Sequence, residues 1–295
     1  MTKILFVINP ISGDIDKEEL ADDLLVFCRQ NQFKADFYKT TGENDEAKLK
    51  DKINEYAPEI VCAVGGDGTV SLVAKTIFKT DVALAIIPQG SGNGLSKDLG
   101  IPQDFDEALQ LLAEHHIMAI DTLDVNGMLS IHLCDVGFNA LVVERFCNGD
   151  TRGPGAYAWI AMQEFMAYEP KHYTIISDEK VIFDAEAFMI TITNAKAFGS
   201  NIAINPTGVI NDGNFEICIL EPFPKSSSLG ILYRLYTDNI DNSVYTHRFS
   251  CSSATIINHS GEVFQIDGEP EEMGKEITFT VQPKSLRVVL PPVTE

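Results

Sequence analysis

A chain of 295 residues, 45% hydrophobic and 22% charged, has room for two cores that need no staples, and its composition excludes a disordered or fibrous protein. Its formal net charge of −21 sets it against nucleic acid and anionic lipid surfaces, so a lipid acceptor would dock through an apolar surface or a local basic patch. Cys28, Cys62, Cys134, Cys147, Cys218 and Cys251 are scattered without a CxxC pair, which argues against both a disulfide framework and a zinc site and fits reduced thiols in a cytoplasm.

Met1–Pro10 carries a short apolar run, too short for a secretory signal core, and reads as a first strand. No stretch approaches the ~20 apolar residues of a membrane span. Strands are expected at Lys3–Ile8, Ala35–Thr40, Glu59–Val64 and Val82–Ile87, with helices at Lys17–Asn31, Asp45–Tyr56, Thr69–Phe78 and Asp104–Glu114 between and after them. Repeated βα units with continuous apolar strands predict an open α/β domain, doubly wound around a mostly parallel sheet, over residues 1–124. Its ligand is expected at the carboxyl ends of the strands.

Beyond Asp124 the pattern changes. Ser130–Cys134, Tyr173–Ser177, Lys180–Phe183, Phe188–Asn194, Phe215–Leu220, Arg248–Ile257, Val263–Ile266 and Ile277–Val281 read as strands. Helices are expected only at Ala156–Met166 and Lys225–Tyr236. This predicts a β-sandwich substrate domain over residues 125–285. Leu286–Leu290 is a further strand from either domain, and residues 286–295 are open to return to the first.

Gly65-Gly66-Asp67-Gly68-Thr69 follows an apolar strand and opens a helix. Glycines there let the backbone approach a ligand, Thr69 is placed to cap the helix, and the helix N-terminus attracts anions. Asp67 beside phosphates needs Mg²⁺ between them, or a proton or ribose hydroxyl to accept. Asn9-Pro10-Ile11-Ser12-Gly13 after the first strand, and Pro88-Gln89-Gly90-Ser91-Gly92-Asn93-Gly94 after the fourth, repeat small residues with hydroxyl or amide donors. Taken singly each is an ordinary turn; together at one sheet edge they read as a binding site. Asp267-Gly268-Glu269 reads on its own as a solvated hairpin turn, and Asn211-Asp212-Gly213 as turn chemistry.

In this order and near these spacings, Asn-Pro-x-Ser-Gly, Gly-Gly-Asp-Gly-Thr and Pro-x-Gly-Ser-Gly-Asn resemble the diacylglycerol kinase catalytic domain family, which includes bacterial lipid kinases and the sphingosine and ceramide kinases. The likeness continues through Val136-Gly137-Phe138, Pro206 to Gly213 and Ile266 to Glu269. It implies an NAD kinase-like fold and ATP-dependent transfer to a lipid hydroxyl. The implied nucleotide-binding residues are Asn9, Ser12, Gly13, Thr40, Gly65, Gly66, Asp67, Gly68, Thr69, Ser91, Gly92 and Asn93. Glu269 is the implied general base, with Asp67 and Asp267 as further catalytic carboxylates. Asp212 is the implied ligand of a structural Mg²⁺, with the carbonyls of Val209 and Asn214.

The chain departs from that pattern at Leu72, where a carboxylate is usual, at Gly94, and at Asn139–Val143, which lacks the acidic pair of sphingosine kinases. A kinase of a soluble acceptor, such as NAD or a polyol, and a weakly active binding homologue are the competing readings. His115-His116 is expected at the surface. The pairs Glu18-Glu19 and Asp22-Asp23 are expected on a solvated helix face. Tyr157, Trp159, Met162, Phe165 and Met166 read as core or homodimer packing, with a lipid-facing wall as the sharper alternative.

Overall fold

The computed structural model describes residues 1–10, 17–114, 116–149, 153–196 and 202–292. Its first part runs β1 (Lys3–Ile8), α1 (Lys17–Gln30), β2 (Lys34–Lys39), α2 (Asp45–Tyr56), β3 (Ile60–Gly65), α3 (Asp67–Ile77), β4 (Ala83–Pro88), α4 (Gly94–Asp98) and α5 (Phe105–Glu114). β3 and β4 are buried along their whole length and β1 along all but its first residue. Such strands have to be covered on both faces, which is why helices alternate with them. The sheet runs β2–β1–β3–β4 with every pair parallel. The chain moves one way from β1 to β2 and the other way through β3 and β4. Right-handed crossovers therefore put α1 on one face and α2 and α3 on the other. The crevice of this topological switch opens between the carboxyl ends of β1 and β3.

The second part continues through β5 (Ile117–Val125), β6 (Met128–Ser130), β7 (Leu133–Gly137), α6 (Phe138–Asn148), α7 (Pro154–Ala167), β8 (Lys171–Ser177), β9 (Lys180–Ala187), β10 (Met189–Thr193) and β11 (Phe215–Leu220). It ends with α8 (Ser228–Tyr236), β12 (Thr246–Cys251), β13 (Ser253–Asn258), β14 (Phe264–Ile266), β15 (Glu269–Glu271) and β16 (Glu276–Val289). The chain divides into two units, Met1–Ile120 with the tail from Lys284, and Asp121–Pro283.

Within the second unit β12–β11–β10–β7–β14–β15 form one antiparallel sheet, and β9, β8, β13 and the start of β16 form another. Val136, Ile190, Ile217 and Phe264 of the first pack with Tyr173, Ile175, Ile256 and Phe279 of the second in one buried core. The other face of the first sheet is closed by a smaller core, in which Phe188, Met189 and Leu220 meet Ile231 and Leu235 of α8. An α/β domain followed by a β-sandwich is thus borne out.

Several expected elements come out differently, each for a local reason. α3 begins at Asp67 with Gly66 as its N-cap and no side-chain cap bond. Thr69 is therefore inside the first turn, and its buried side chain lies over Gly65. The strand expected over Ser130–Cys134 is interrupted at Ile131 and His132, whose N–H groups donate to Asp267 instead of to a ladder. Arg248–Ile257 is two strands in different sheets, parted at Ser252, whose carbonyl accepts from Val281 N. Conversely, Ile277–Val281 and Leu286–Leu290 belong to one long strand, β16, apart from its last residue. Its first residues pair with β13 and its last, Arg287 and Val288, run parallel to Ala83 and Leu84. α6 was not expected at all. Among the described residues no helix is long and apolar enough to cross a membrane.

Candidate active site

At the carboxyl ends of the parallel strands lies a cavity of about 890 Å³, lined by Asn9, Pro10, Thr40–Gly42, Asp45, Gly66–Thr69, Leu72 and Gln89–Gly92. The loops that form it grow directly out of the sheet ladder. Asn9 N donates to Val64 O at 3.3 Å, Thr40 N to Ile8 O at 3.0 Å and Gln89 N to Gly65 O at 2.8 Å. The backbones of the two glycine loops touch: a Cβ on Gly90 would fall 2.5 Å from Gly66 Cα. Only glycine at position 90 permits that approach, and any side chain at position 66 would be tight. Asp67 stands at the first position of α3, where unpaired N–H groups and the helix dipole favour negative charge. Its Oδ2 lies where a Cβ on Gly92 would be 2.9 Å away, so it spans from one glycine loop to the next.

Of the residues singled out from sequence, Asn9, Thr40, Gly66, Asp67, Gly68, Thr69, Ser91 and Gly92 line this cavity. Gly65 ends β3 in the buried layer beneath it. Asn93 is absent from the lining; its Oδ1 accepts from Gly90 N at 2.9 Å and its Nδ2 donates to Gln103 Oε1 at 3.3 Å, so it shapes the loop. Ser12 and Gly13, like His115, lie outside the described residues.

Asp45 was missed in the sequence, where it reads as a plain first-turn acid of α2. Its carboxylate accepts from Tyr38 Oη at 2.6 Å, Gly42 N at 2.7 Å and Thr41 N at 2.9 Å. Burial works to raise its pKa, but these donors outweigh burial and hold it at about 2. The charged Asp45 thereby fixes the Thr41–Gly42 wall of the cavity.

The second unit holds the remaining candidates. Asp267 and Gly268, with φ of 51° and 88°, form the two-residue turn between β14 and β15. The Asp267 carboxylate faces inward and accepts from Ser130 Oγ, Ile131 N and His132 N, each at 2.9 Å. Burial still raises its pKa, against those hydrogen bonds. Glu269 follows on the exposed side of the turn.

A buried polar chain holds the same turn from below. Gly268 N donates to Gln265 Oε1 at 2.7 Å, and Gln265 Nε2 donates to Asp135 Oδ2 at 2.5 Å. Asn139 Nδ2 donates to the same oxygen at 2.8 Å, and Tyr157 Oη to Asn139 Oδ1 at 2.5 Å. Burial pushes Asp135 up to about 7 against these two amide donors. Its Oδ1 is buried and has no partner among the described residues. Sequence reasoning missed this chain because Asp135 and Gln265 interrupt apolar strands singly, and only the pairing of β7 with β14 sets them side by side.

Asp212 is exposed, and its Oδ1 accepts from Asn214 N at 2.9 Å. The turn is anchored by Asp121, which is 1% exposed, accepts from Gly213 N at 2.6 Å and donates its own N–H to Ile210 O at 2.8 Å. α7 is apolar on its inner and its outer side. Phe165 packs on Phe138, Phe188 and Phe223, while Trp159, Met162 and Met166 are 57%, 56% and 64% exposed.

Comparison with known proteins agrees with this architecture. The family described as the diacylglycerol kinase catalytic domain matches residues 3–125, and that described as the YegS C-terminal NAD kinase beta sandwich-like domain matches residues 133–290. A protein of Salmonella arizonae named "Probable lipid kinase YegS" is 27% identical over 297 residues, covering 98% of this chain and 96% of its own. One of Enterobacter sp. (strain 638) named "Probable lipid kinase YegS-like" is 25% identical over 291 residues, covering 96% and 95%. Among solved structures, a diacylglycerol kinase of Bacillus anthracis superposes with TM-score 0.77 at 18% identity, covering 100% of this chain and 98% of that one. An NAD kinase of Archaeoglobus fulgidus in complex with ATP does so with TM-score 0.55 at 12% identity, covering 98% and 93%. At these identities the two structures speak for the fold alone. The family matches go further: this chain belongs to the diacylglycerol kinase catalytic domain family of kinases, with a YegS-type β-sandwich-like domain as its second half.

Proposed function

We propose that the chain is an ATP-dependent lipid kinase, which transfers the γ-phosphate of ATP to a hydroxyl of a diacylglycerol-like or related lipid. The observation that carries this reading is the convergence of the Asn9, Gly66–Thr69 and Gln89–Gly92 loops on one cavity at the start of α3. Phosphates suit such a place because helix N-terminal N–H groups and glycine backbone can reach them without side chains intervening. Asn9, Thr40 and Ser91 supply amide and hydroxyl groups around the same space, and Asp45 holds its far wall.

In this reading Mg²⁺ is held at two places. Asp67 offers a carboxylate within the cavity. Asp212 offers an exposed carboxylate, and in this reading the carbonyls of Val209 and Asn214 would complete an all-oxygen set of the kind hard cations take. Bound at the phosphates, Mg²⁺ would supply charge neutralisation. The acceptor hydroxyl needs a carboxylate to take its proton. In this reading Glu269 does so, with Asp67 as the alternative. Asp267 acts through the turn: with its oxygens engaged by Ser130 and by backbone N–H groups, it orients Glu269.

A lipid acceptor is favoured over a soluble one by the apolar outer faces of two helices. Trp159, Met162 and Met166 of α7 and Leu229, Leu232 and Tyr233 of α8 are exposed, in a protein too acidic to be drawn to a membrane by charge. The test is to supply the purified protein with Mg²⁺, γ-labelled ATP and micelles of a lipid panel, alongside NAD and polyols. Label is expected in a lipid. Label only in NAD or a polyol, or ATP binding without any transfer, overturns the reading.

A further inference from the structure

We propose that His172, Asp184 and His259 form a binding site for one divalent transition metal of the zinc type, on the outer face of the second unit's β8–β9–β13 sheet. Among the described residues, this is the one group of three His, Cys, Asp or Glu side chains whose ligand atoms converge, all within 4.8 Å of one another. The convergence follows from strand alternation. Tyr173, Ile175 and Ser177 of β8 are buried, so His172 and Thr174 face outward. Asp184 of β9 stands opposite Thr174. Asn258, the last residue of β13, pairs with Tyr173, which brings His259 beside His172.

One pair of the three already stands at the spacing a tetrahedral ion requires, and the full set, within 4.8 Å, closes on an ion by rotation of exposed side chains. Ligand atoms ~2.0–2.1 Å from zinc lie about 3.4 Å from each other, and His172 Nε2 is 3.5 Å from Asp184 Oδ1. The two imidazole rings stand with centroids 5.0 Å apart at 59°. Thr174 Oγ1 lies 2.8 Å from both Asp184 Oδ1 and His259 Nε2, which collects the set before any ion arrives. Once His259 turns to the ion, the Thr174 hydroxyl remains on Asp184, the outer-shell hydrogen bond typical of ligating carboxylates. Two imidazoles and one carboxylate select zinc, cobalt, nickel or copper over Mg²⁺, which prefers oxygen. Three protein ligands leave the fourth position to water. An ion held here would clip three strands together. A bare His–Asp pair at this exposure contributes little by comparison.

This site stands apart from the phosphotransfer reading, and its test does not involve turnover. Untagged, chelator-treated protein is titrated with Zn²⁺ by calorimetry and with Co²⁺ by visible absorption. The expected result is one ion per chain, intense tetrahedral Co²⁺ bands, and a rise in melting temperature with Zn²⁺ that Mg²⁺ does not reproduce. His172→Ala and His259→Ala should each abolish the bands, and Thr174→Val should weaken affinity by roughly 10-fold. All four side chains sit on an outward face, so the variants should fold. Absence of binding to the wild-type chain overturns the proposal, as does Zn²⁺ binding of unchanged affinity in the His172→Ala/His259→Ala double variant.

Discussion

Gly66 and Gly90 meet backbone to backbone: a Cβ added to Gly90 would lie 2.5 Å from Gly66 Cα, where there is no room for it, and one added to Gly66 would be tight, 3.1 Å from Gly90 Cα. The contact ties the loop after β3 to the loop after β4, and so sets the width of the cavity they line.

Gly90→Ala should therefore force the two loops apart, since what it strikes is main chain that has no other rotamer. Overpacking of this kind costs about 1–3 kcal/mol. We expect that loss in urea denaturation, together with loss of the thermal protection that ATP and Mg²⁺ confer on the wild type. Gly230→Ala in α8, where a Cβ would meet nothing within 4 Å, serves as the control. It should leave nucleotide protection intact and raise stability by up to ~1 kcal/mol.

Glu269→Gln keeps the shape of the side chain but cannot accept a proton. ATP affinity should stay near wild type while kcat falls by ~10²–10⁴-fold if proton removal limits the rate. Asp67→Asn, by contrast, should weaken nucleotide protection as well as turnover. Near-normal kcat in Glu269→Gln beside an inactive Asp67→Asn that still binds ATP would transfer the role of base to Asp67.

Asp135 makes a prediction about pH. Burial raises its pKa from the usual carboxylate range to about 7 in the native state. Such a group supports the native state fully below about pH 4, and that support is lost as pH rises through about 7. Asp135→Asn should remove this dependence. Its amide oxygen can still accept from Asn139 and Gln265, which both donate to Oδ2. The variant should be the more stable protein at pH 8, by at most about 4 kcal/mol at ~1.4 kcal/mol per pH unit. Urea midpoints of both proteins between pH 4 and pH 8 check this. Asp267, displaced in the same direction, cancels in the difference.

Asp212→Ala should lower thermal stability, and a chelator should lower that of the wild type while leaving the variant unmoved. A carboxylate with neighbouring carbonyls holds a cation only as a set, so its removal releases the ion. Metal analysis that finds no cation beyond the one bound with nucleotide would leave Asn211-Asp212-Gly213 as a turn and nothing more.

Much of the first unit was legible in the sequence because its information is local. The apolar runs at Lys3–Ile8 and Glu59–Val64 could be read as covered strands from their own composition, and strands are found at Lys3–Ile8 and Ile60–Gly65. The glycine loops announce themselves by composition, and the parallel sheet brings them to one edge as a matter of topology. In the second unit Asp267-Gly268-Glu269 was readable as a hairpin turn, and it is one, but not the solvated turn expected, because the Asp267 carboxylate is turned inward onto Ser130, Ile131 and His132. What the sequence left open is whatever depends on partners far along the chain. Ser252 parts two strands of one apparent run because each half finds a different sheet. Asp135 acquires its raised pKa only through tertiary burial, and β14, some 130 positions on, sets Gln265 beside it as a donor that opposes the rise. His172, Asp184 and His259 have no motif spacing at all. Strand register alone makes them neighbours, and only there do their side chains become a common ligand set.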